Sequence, residues 1–566
     1  MFIGCQIPLK QATLLRQSQN SGIRARCPVS PSGTSFAGGP KAILGFCSWA
    51  LSGSLPASST RAESHKLAGR APPHARQASV LASASAPSAT PIGRSYGAPP
   101  RICILGGGFG GLYTAVRLEN LMWPRDKKPK VTLIDQNDRF VFKPLLYELI
   151  NGGARPEEVA PPFAELLAPY PTQFIQDGVH SVHERDGASA PGGSSGGQVK
   201  LRGGGVVEYD WLVLAMGSST TFFDIPGVKE LAFPFCDYKD AMQALRQLEM
   251  LEQRQQASGS LSVTVVGAGY AGIELATTLA ERIGPRGFVQ IIHGGNDIME
   301  PSSAGQRDAA KRMLMESNVS VTTNALVSKV ERLGDAPQSQ LGPDLSRRRL
   351  TLKMSDERQQ VIDSDMVFWT AGSGPVTKTA AQKLSLPFPT DKRGLMQTDA
   401  MLRVLHVPHV FAMGDIAGVA ESNPETTPPP TAQVAFQQAD YVAWNLWAAI
   451  NNRPLLPFRY QHLGDMMSLG RSKGAVTLPL PVPHQLASAA ATGPLGSFLQ
   501  SAGISLGTQT AEQGVTLEGP LAGALRRAAY WYRQPTDAHR LTVGRNWLQQ
   551  ALQEAQGMMG SAGPRR

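Results

Sequence analysis

The sequence of 566 residues predicts an α/β protein, and three features support that prediction. The stretch "ILGGGFGGLYT" at 104–114 follows a short apolar run and opens a helical pattern, and "VVGAGYAGIEL" at 265–275 repeats this arrangement. Apolar strands at 209–218, 365–375 and 409–418 each end in a glycine turn. Strand–turn–helix units of this kind are typical of parallel sheets that bind nucleotides. We therefore predict two Rossmann-like dinucleotide-binding domains, with the second inserted inside the first.

The basic residues are concentrated near the amino terminus. Hydrophobic residues make up 42% of the chain and charged residues 17%, which indicates a globular protein. The net charge is +10, but residues 1–100 contain ten Lys and Arg and a single acid, Glu63. The rest of the chain is nearly neutral, which argues against a nucleic-acid partner. The Ser-, Ala-, Pro- and Arg-rich stretch at 1–97 predicts an organelle transit peptide, for the chloroplast rather than the mitochondrion, and a tail without an address is the alternative.

Cysteine usage and hydropathy exclude several classes of protein. Cys103 and Cys236 are the only cysteines beyond residue 97, and the sequence has no CxxC pair. A disulfide framework and a dithiol relay within the chain are therefore excluded. No apolar run reaches about 18 residues, so we expect no membrane-spanning helix. The sequence has no cluster of metal-ligating residues and no calcium-loop spacing, so we predict no bound metal.

The elements of the first unit follow one another in the expected order. A buried strand at 101–105 leads into the first glycine turn and a helix through Leu121, and a second strand at 130–136 contains an acid near its end. A polar, glycine-rich stretch at 183–205 predicts a surface hairpin or a mobile loop.

The second unit begins with the strand in "LSVTVVGAGYAG" at 261–272 and continues with "FVQIIHG" at 288–294. Apolar strands at 366–369 and 409–412 come after it. We expect both of these strands to join the sheet of the first unit, which would make the second unit an insertion.

Both turns have the GxGxxG spacing of a dinucleotide-binding fingerprint, at Gly106, Gly108 and Gly111 and again at Gly267, Gly269 and Gly272. The first glycine makes the turn, the second lets the backbone approach a pyrophosphate, and the third lets the helix pack on the strand. Asp135 at the end of the next strand is expected to hold a ribose. His293 takes the corresponding place in the second unit, and the lack of an acid there favours NADPH, with NADH also accepted. A simple strand-end role for His293 is the alternative.

Two such sites imply electron transfer between a bound flavin and a diffusing nicotinamide. Asp415 in "MGD" ends a strand and is expected to accept hydrogen bonds from the ribityl chain of FAD. Thr431 in "PPPTAQVAFQ" predicts the N-cap of a helix over 431–450. We expect the amides of Gln433 and Val434 to point at the flavin and to stabilise negative charge on it.

With these motifs, the chain from about 100 to 475 resembles the type II, single-subunit NAD(P)H:quinone oxidoreductases, especially the plant and algal organellar demethylphylloquinone reductase branch. The resemblance is carried by "RICILGGGFGGLYTA", "DRFVFKPLLYEL", "YDWLVLAMGS", "VVGAGYAGIELA", "HVFAMGDIAG" and "TAQVAFQQADYVAWNLWAAINNRPLLPF". It implies an FAD enzyme that pumps no protons and passes hydride from NAD(P)H to FAD and two electrons to a membrane quinone. That quinone would be a prenylated naphthoquinone such as demethylphylloquinone, or plastoquinone or ubiquinone.

The resemblance also implies roles for particular residues. Glu274 matches a glutamate near the flavin–nicotinamide junction, and Gln433 and Gln437 match the AQxxxQ element that lines the quinone site. Lys143 and Pro144 fall in a segment that lies along the flavin. Some relatives have His where this chain has Phe436, so proton delivery is not assigned to that position. Simpler structural roles remain alternatives for Glu274, the glutamines, Lys143 and Pro144.

The stretch "LAGALRRAAYWYRQ" at 521–534 predicts a helix that lies on a membrane surface. Its apolar side chains fall near one face, at Leu521, Leu525, Ala528 and Ala529. Its aromatic rings and arginines are expected at the lipid headgroups, at Trp531, Tyr532, Arg526, Arg527 and Arg533. The stretch "WLQQAL" at 547–552 predicts a second such helix. The expected surface is a thylakoid membrane or a plastoglobule, ordinary core packing is the alternative, and homodimerisation is left open.

The predicted organisation begins with a transit peptide at 1–97. An FAD-binding domain at 98–232 and 362–450 includes the quinone-site helix, and an NAD(P)H-binding domain at 233–361 is inserted in it. A C-terminal region at 451–566 follows and contains a low-complexity insertion at 479–513. A soluble electron-transfer reductase or a redox-sensing flavoprotein of the same fold is the alternative function. Disulfide reductases and sulfide:quinone reductases require cysteines that this chain lacks.

Overall fold

The computed structural model describes residues 98–561 except 186–195, 256–259, 335–343, 380–383, 385, 420–427, 481–503 and 507–513. The predicted transit peptide at 1–97 lies outside the described residues, as does most of the predicted insertion at 479–513. The described residues form two five-stranded parallel sheets, smaller antiparallel sheets and a helical C-terminal region.

The first sheet belongs to the first nucleotide unit. Its strands lie side by side in the order Val410–Ala412, Trp211–Leu214, Arg101–Leu105, Lys130–Asp135 and Gln173–Gln176. Ile104, Leu133 and Val213 are completely buried on the central strands. Parallel strands covered on both faces favour continuous apolar runs, which explains why the sequence shows them so clearly.

The second sheet has the order Ser320–Thr322, Gly287–Ile292, Leu261–Val266, Met366–Trp369 and Phe233–Pro234. The strand Met366–Trp369 pairs with Leu261–Val266, with Val263 opposite Met366. The prediction that 366–369 joins the first sheet was therefore wrong, and the second unit continues past the predicted boundary at 361. A fully apolar strand satisfies the burial requirement of either sheet, so only the pairing decides between them.

Two short strands carry the chain out of the first unit and back into it. Ser218–Thr220 pairs antiparallel with Ser373–Pro375, which places Ser218 opposite Pro375. We call this pair the crossing strands. They leave the carboxyl ends of the strands Trp211–Leu214 and Met366–Trp369, so they meet where parallel sheets bind their ligands.

Three helices position the functional side chains. The first glycine helix is Phe109–Asn120, the second glycine helix is Tyr270–Ile283, and the long helix is Ala432–Ile450. Thr431 caps the long helix as predicted, since its hydroxyl accepts the Val434 amide at 3.3 Å. An ion pair between Arg117 and Asp440 at 2.6 Å joins the first glycine helix to the long helix.

The predicted hairpin at 183–205 belongs to a three-stranded antiparallel sheet of Val179–Glu184, Gly197–Leu201 and Val206–Tyr209. A second such sheet consists of Ala325–Leu333, Arg347–Met354 and Gln359–Ser364. The remaining elements of the two units are the helices Pro156–Val159, Phe163–Leu167, Val228–Leu231, Tyr238–Gln255, Ala304–Glu316 and Val376–Thr379, the 3-10 helices Lys143–Leu149, Gly284–Arg286 and Gly414–Ile416, and the paired strands Met396–Thr398 and Ala417–Val419.

The C-terminal region combines a sheet with two helices. The strands Asp465–Ser468, Gly474–Leu478, Val515–Glu518 and Ile504–Leu506 lie side by side in that order. The penultimate helix, Gly519–Tyr532, and the last helix, Asp537–Ser561, follow the sheet. Among the described residues, no helix combines the length and the apolar character needed to cross a bilayer.

Candidate functional site

The first glycine turn has the geometry that its spacing predicts. Gly106 has φ of +98°, and a Cβ on Gly111 would lie 1.8 Å from the carbonyl oxygen of Gly106. A side chain is excluded at Gly106 by the left-handed backbone conformation and at Gly111 by contact with the Gly106 carbonyl. Gly108 has open space in front of it, with no atom within 4 Å of an added Cβ. This open space is the cradle that a pyrophosphate would need.

Asp135 lies beside this turn, as predicted. Its carboxylate accepts hydrogen bonds from the amides of Gly107 at 2.7 Å and Asn137 at 2.8 Å. Burial raises the pKa of Asp135 above its usual value, and the two backbone amides oppose that effect. The carboxylate is thus held in one orientation at the wall of a cleft of about 300 Å³.

The same cleft collects two of the other residues predicted to bind FAD, Lys143 and Asp415, together with the helix cap Thr431. Pro144 is buried at the start of the 3-10 helix Lys143–Leu149 and does not line it. Asp415 accepts a hydrogen bond at 2.7 Å from the hydroxyl of Ser218 on a crossing strand. The residues present therefore fit an FAD molecule, because one cleft offers a phosphate cradle, an oriented carboxylate for a ribose and a second carboxylate near the crossing strands.

The start of the long helix differs from the prediction. Thr431 and Ala432 line the cleft, but Gln433 does not, and Val434 gives its amide to the capping hydroxyl of Thr431. An N-cap side chain normally accepts a hydrogen bond from the amide three residues later, so the Val434 amide is bonded to Thr431 and is not free to point at the flavin.

The second glycine turn repeats the geometry of the first. Gly267 has φ of +108°, a Cβ on Gly272 would lie 1.8 Å from the Gly267 oxygen, and Gly269 faces open space. The amide of Ala268 donates to Nδ1 of His293 at 3.3 Å, just as the amide of Gly107 donates to Asp135. His293 thus occupies the place of the strand-end acid, as predicted.

The surroundings of His293 include an acid that the sequence motif did not single out. Burial lowers the pKa of His293, which keeps the ring neutral at pH 7 and its Nδ1 able to accept. The Glu300 carboxylate lies beyond Gly295 and accepts the amides of Asn296 at 3.0 Å and Asp297 at 3.3 Å. Glu300 comes seven positions after His293, outside the range in which the fingerprint places its acid.

Glu274 is buried just after the first turn of the second glycine helix, with 2% of its surface exposed. One carboxylate oxygen accepts the amide of Ser468, from the C-terminal sheet, at 2.8 Å. Burial raises the pKa of Glu274. The simpler alternative for Glu274 was an acid in the first helical turn favoured by the helix dipole, and Glu274 lies outside that turn.

The prediction that Arg526 faces a headgroup layer was wrong, whereas Arg527 keeps 27% of its side chain exposed. Arg526 is completely buried and forms an ion pair with Glu148 at 2.6 Å, and Arg527 reaches the other oxygen of Glu148 at 2.9 Å. Arg533 lies over the ring of Phe436, 4.2 Å from its centroid. The helix packs through small and polar positions, Ala522, Gly523, Arg526 and Tyr530.

The two glutamines of the AQxxxQ element hold the segment that returns along the long helix. Gln433 donates to the carbonyl of Gly464 at 3.0 Å and accepts the hydroxyl of Tyr460 at 2.8 Å. Gln437 exchanges two hydrogen bonds with the backbone of Gln461, at 2.8 and 3.0 Å. Their amide groups are therefore engaged and do not simply face solvent.

Gln438 is a functional residue that sequence reasoning missed. It is buried, and its side-chain oxygen accepts the amide of Gly414 at 2.6 Å, directly before Asp415. A buried amide side chain one position after a recognised motif was the available signal. Gln438 orients the turn that presents Asp415.

A second cavity of about 1240 Å³ adjoins the first cleft. It shares Ser218, Gly414 and Asp415 with the cleft and extends along the crossing strands to Pro301, near the second glycine turn. Phe223, also in its lining, has φ of +53° and places its ring against Gly372. This space connects the two nucleotide units at the crossing strands.

The cysteines provide no redox pair in the described part of the chain. Cys103 is buried and Cys236 lines the first cleft, and neither forms a disulfide. Burial raises the pKa of Cys236 to about 12, so it remains a thiol at neutral pH. Chemistry in the cleft that depends on a thiolate is therefore disfavoured.

Comparisons with known proteins agree with this geometry. The pyridine nucleotide-disulphide oxidoreductase family matches residues 100–439. The chain is 41% identical over 466 residues to an alternative NAD(P)H-ubiquinone oxidoreductase C1, chloroplastic/mitochondrial, of Arabidopsis thaliana, covering 80% of this chain and 82% of the relative. It is 36% identical over 455 residues to the demethylphylloquinone reductase NdbB of Synechocystis, covering 80% of this chain and 97% of that one. Its fold resembles that of NDH2 from Plasmodium falciparum in complex with NADH, with a TM-score of 0.58 at 19% identity, over 79% of this chain and 97% of the other.

The two glycines of the first turn give a testable contrast. Gly111→Ala places a methyl group against the Gly106 carbonyl, so we expect a loss of about 1–3 kcal/mol in stability together with loss of FAD. Gly108→Ala meets no protein atom, so it should preserve the unfolding midpoint of the apoprotein and weaken only FAD binding. Calorimetry and the ratio of flavin to protein absorbance measure the two effects, and equal destabilisation by both substitutions would contradict this assignment.

Proposed function

Because the chain belongs to the pyridine nucleotide-disulphide oxidoreductase family and, within it, to the type II NAD(P)H:quinone oxidoreductases, we propose that it is an FAD-dependent enzyme that oxidises NAD(P)H and reduces a quinone. The observation that carries this proposal is the match to two named quinone reductases across four fifths of the chain. The names of these relatives give ubiquinone and demethylphylloquinone as acceptors. The acceptor class is accordingly a lipid-soluble prenylated quinone, with plastoquinone as a third candidate.

FAD, when bound, supplies the two-electron chemistry that links the nicotinamide to the quinone. Gly106, Gly108 and Gly111 hold its adenosine diphosphate half, and Asp135 holds the ribose. Asp415, oriented by Ser218 and Gln438, holds the ribityl chain. Lys143 lies along the flavin. The contribution of the protein is alignment and exclusion of water, without a nucleophile.

NAD(P)H would be held by the second glycine turn, through Gly267, Gly269 and Gly272. The family resemblance assigns Glu274 to the junction of the two cofactors. Its buried carboxyl keeps a proton to higher pH than an exposed glutamate does, so it can donate a hydrogen bond at the junction or hold a proton there.

Gln433 and Gln437 act at the quinone site through the segment that they hold. Their hydrogen bonds to Tyr460, Gln461 and Gly464 fix the wall beside the long helix. Such bonds support a wall-forming role for the glutamines, in which they shape the entrance for the quinone ring.

The exposed apolar side chains of the last two helices support binding to a membrane or lipid-body surface. They are Leu521, Leu525, Trp531, Tyr532, Leu541, Leu548 and Leu552. Apolar and aromatic side chains on one helical unit insert into the interfacial layer without crossing it. Together with the transit peptide predicted at 1–97, they support an address in the chloroplast, at a thylakoid or plastoglobule surface, with the mitochondrion as a second address.

Stopped-flow mixing tests the enzymatic function. Full-length protein loaded with FAD should lose its flavin absorbance with NADPH and regain it rapidly when a naphthoquinone or benzoquinone is added. Protein that takes up no FAD would contradict the proposal. Flavin that stays reduced for minutes in the presence of quinone would favour a redox sensor of the same fold.

His293 gives a test of nucleotide preference. We expect His293→Asp to lower the kcat/KM ratio of NADPH over NADH about tenfold, because a carboxylate repels the 2′-phosphate by roughly 1 kcal/mol or more at contact distance. His293→Gln keeps a neutral acceptor for the Ala268 amide and should leave the ratio unchanged. If both variants keep the wild-type ratio, His293 does not set the preference.

Membrane binding is tested with point substitutions. Deleting 517–566 would also remove both arginines that pair with Glu148, so it would not separate anchoring from folding. Leu525→Asp, Leu541→Asp and Leu548→Asp combined should weaken sedimentation with anionic vesicles at least about tenfold, since three leucines lose their burial in lipid.

The matched control is a triple aspartate variant of the second unit, at the exposed positions Phe288, Leu326 and Val361. It should sediment with vesicles like the wild type. Equal loss of binding in the two triple variants, or no loss in the first, would contradict the anchoring role of the last two helices.

A further inference from the structure

An exposed apolar surface lies near the end of the long helix, away from its cap at Thr431. Met122, in the loop after the first glycine helix, exposes 90% of its surface, and Trp444 exposes 38%. The indole nitrogen of Trp447 donates to the Met122 carbonyl at 2.9 Å, and the rings of Trp444 and Trp447 lie 4.9 Å apart. Contiguous apolar side chains at a surface, unlike single ones, mark a contact site. We call Met122, Trp444 and Trp447 the tryptophan patch.

The loop beside the tryptophan patch is strongly basic. Residues 123–130, "WPRDKKPK", contain four Lys and Arg and one acid. Lys127 donates to the carbonyl of Ile450, the last residue of the long helix, at 3.5 Å, which holds the loop against the end of that helix. Arg125 and Arg453 are exposed and form no ion pair within the part of the chain that the structure describes. These cations are therefore available to an anionic surface outside the protein.

The long helix connects the tryptophan patch to the C-terminal region. Phe436 and Trp447 lie on the same side of this helix, because eleven residues complete about three turns. The guanidinium of Arg533, which follows Tyr532 in the chain, lies 4.2 Å from the centroid of the Phe436 ring. Tyr532 is itself exposed, as is Trp531. The patch therefore lies about 16 Å along the long helix from the end of the penultimate helix, on the side that this end contacts.

The charge around the patch favours a lipid surface over a second copy of the chain. Tryptophan is enriched where proteins meet the headgroup layer, and neighbouring Lys and Arg attract anionic headgroups. In a two-fold contact the patch would face itself, so the cations of 123–130 on the two copies would approach one another with a single acid, Asp126, in each loop. An anionic lipid surface compensates the same cations.

We propose that the tryptophan patch is a second contact with an anionic lipid surface, in addition to the exposed apolar side chains of the last two helices. Gln437 lies on the same side of the long helix as Trp444, because the two are seven residues apart. Lipid at Trp444 thus lies about 10 Å from the wall that Gln433 and Gln437 form. Two separated contacts fix the orientation of the enzyme, so that a quinone passes from the lipid to this wall. That consequence rests on the proposed function, whereas lipid binding by the patch does not.

Met122→Gln combined with Trp444→Gln removes the exposed apolar side chains of the patch and keeps the bond from Trp447 to the Met122 backbone. Sedimentation with vesicles of phosphatidylglycerol and phosphatidylcholine should weaken about tenfold, because this apolar surface no longer enters the interfacial layer. The matched control is Met315→Gln combined with Phe288→Gln, which changes an exposed methionine and an exposed aromatic residue of the second unit. The control should bind vesicles like the wild type, and unfolding midpoints are measured for both variants.

Arg125→Gln combined with Arg453→Gln tests the charge of the same surface with two exposed side chains. Binding to the anionic vesicles should fall at least about fivefold, and binding to phosphatidylcholine vesicles should stay unchanged, since cations near an anionic surface favour binding. Lys353→Gln combined with Arg358→Gln removes the same charge from exposed positions of the second unit and should bind like the wild type. Full-length protein is used throughout, so the cations of residues 1–97 contribute equally to every measurement.

Kinetics separate this inference from the proposed function. The substituted residues line neither the cleft nor the second cavity, so both patch variants should keep wild-type rates of flavin reduction by NADPH and of reoxidation by a short-chain, water-soluble quinone. With a prenylated quinone in vesicles their turnover should fall about tenfold, in parallel with vesicle binding. Wild-type flavin that NADPH does not reduce would overturn the proposed function and leave lipid binding by the patch standing.

Vesicle binding and oligomeric state decide the inference itself. If either patch variant sediments with anionic vesicles as the wild type does, the inference is wrong. Analytical ultracentrifugation tests for a contact between copies of the chain. A wild-type dimer that the Met122 and Trp444 substitutions convert to a monomer, with vesicle binding unchanged, would assign the tryptophan patch to that contact and would overturn the inference.

Discussion

Each nucleotide unit depends on one close approach between two backbone segments. In both turns the third glycine passes so near the carbonyl oxygen of the first that a methyl group would overlap it. This contact sets the helix directly on the strand end, so its unpaired amides face the cleft. The amide after the first glycine then donates to the side chain at the end of the neighbouring strand, Asp135 in one unit and His293 in the other.

The C-terminal region completes the site by meeting carboxylates on both units. Arg526 and Arg527 meet Glu148 of the first unit, and the Ser468 amide meets Glu274 of the second. Glu281 joins all three parts, since it accepts hydrogen bonds from Asn151 at 2.8 Å and from the Arg471 amide at 2.7 Å. Glu148 and Glu274 are buried, and buried carboxylates are costly unless cations or amides compensate them, so the contacts of these two residues fix how the region docks. The helices with an exposed apolar face and the redox cleft therefore form one connected structure.

Where the structure departs from the sequence prediction, two patterns were ambiguous in the same way. The strand 366–369 is apolar throughout and would be equally well buried in either sheet, so its residues could not reveal its neighbour. The penultimate helix exposes the apolar stripe of Leu521 and Leu525, as expected for a surface helix, and the departure concerns Arg526 on its buried face. The buried face uses Ala522, Gly523 and Arg526, because small residues allow close packing and Glu148 neutralises the arginine.

The sequence by itself determined the fold class, the two dinucleotide turns, the cap at Thr431 and the strand-end positions of Asp135 and His293. These features depend on backbone conformation and on residues close in the chain, where spacing is sufficient information. The tertiary structure alone decided the sheet to which 366–369 belongs, the pairing of Glu148 with Arg526, the role of Gln438 behind Asp415 and the contact of Glu274 with Ser468. Each of these joins residues far apart in the chain, and a buried charge or amide reveals its partner only when folding brings the two together.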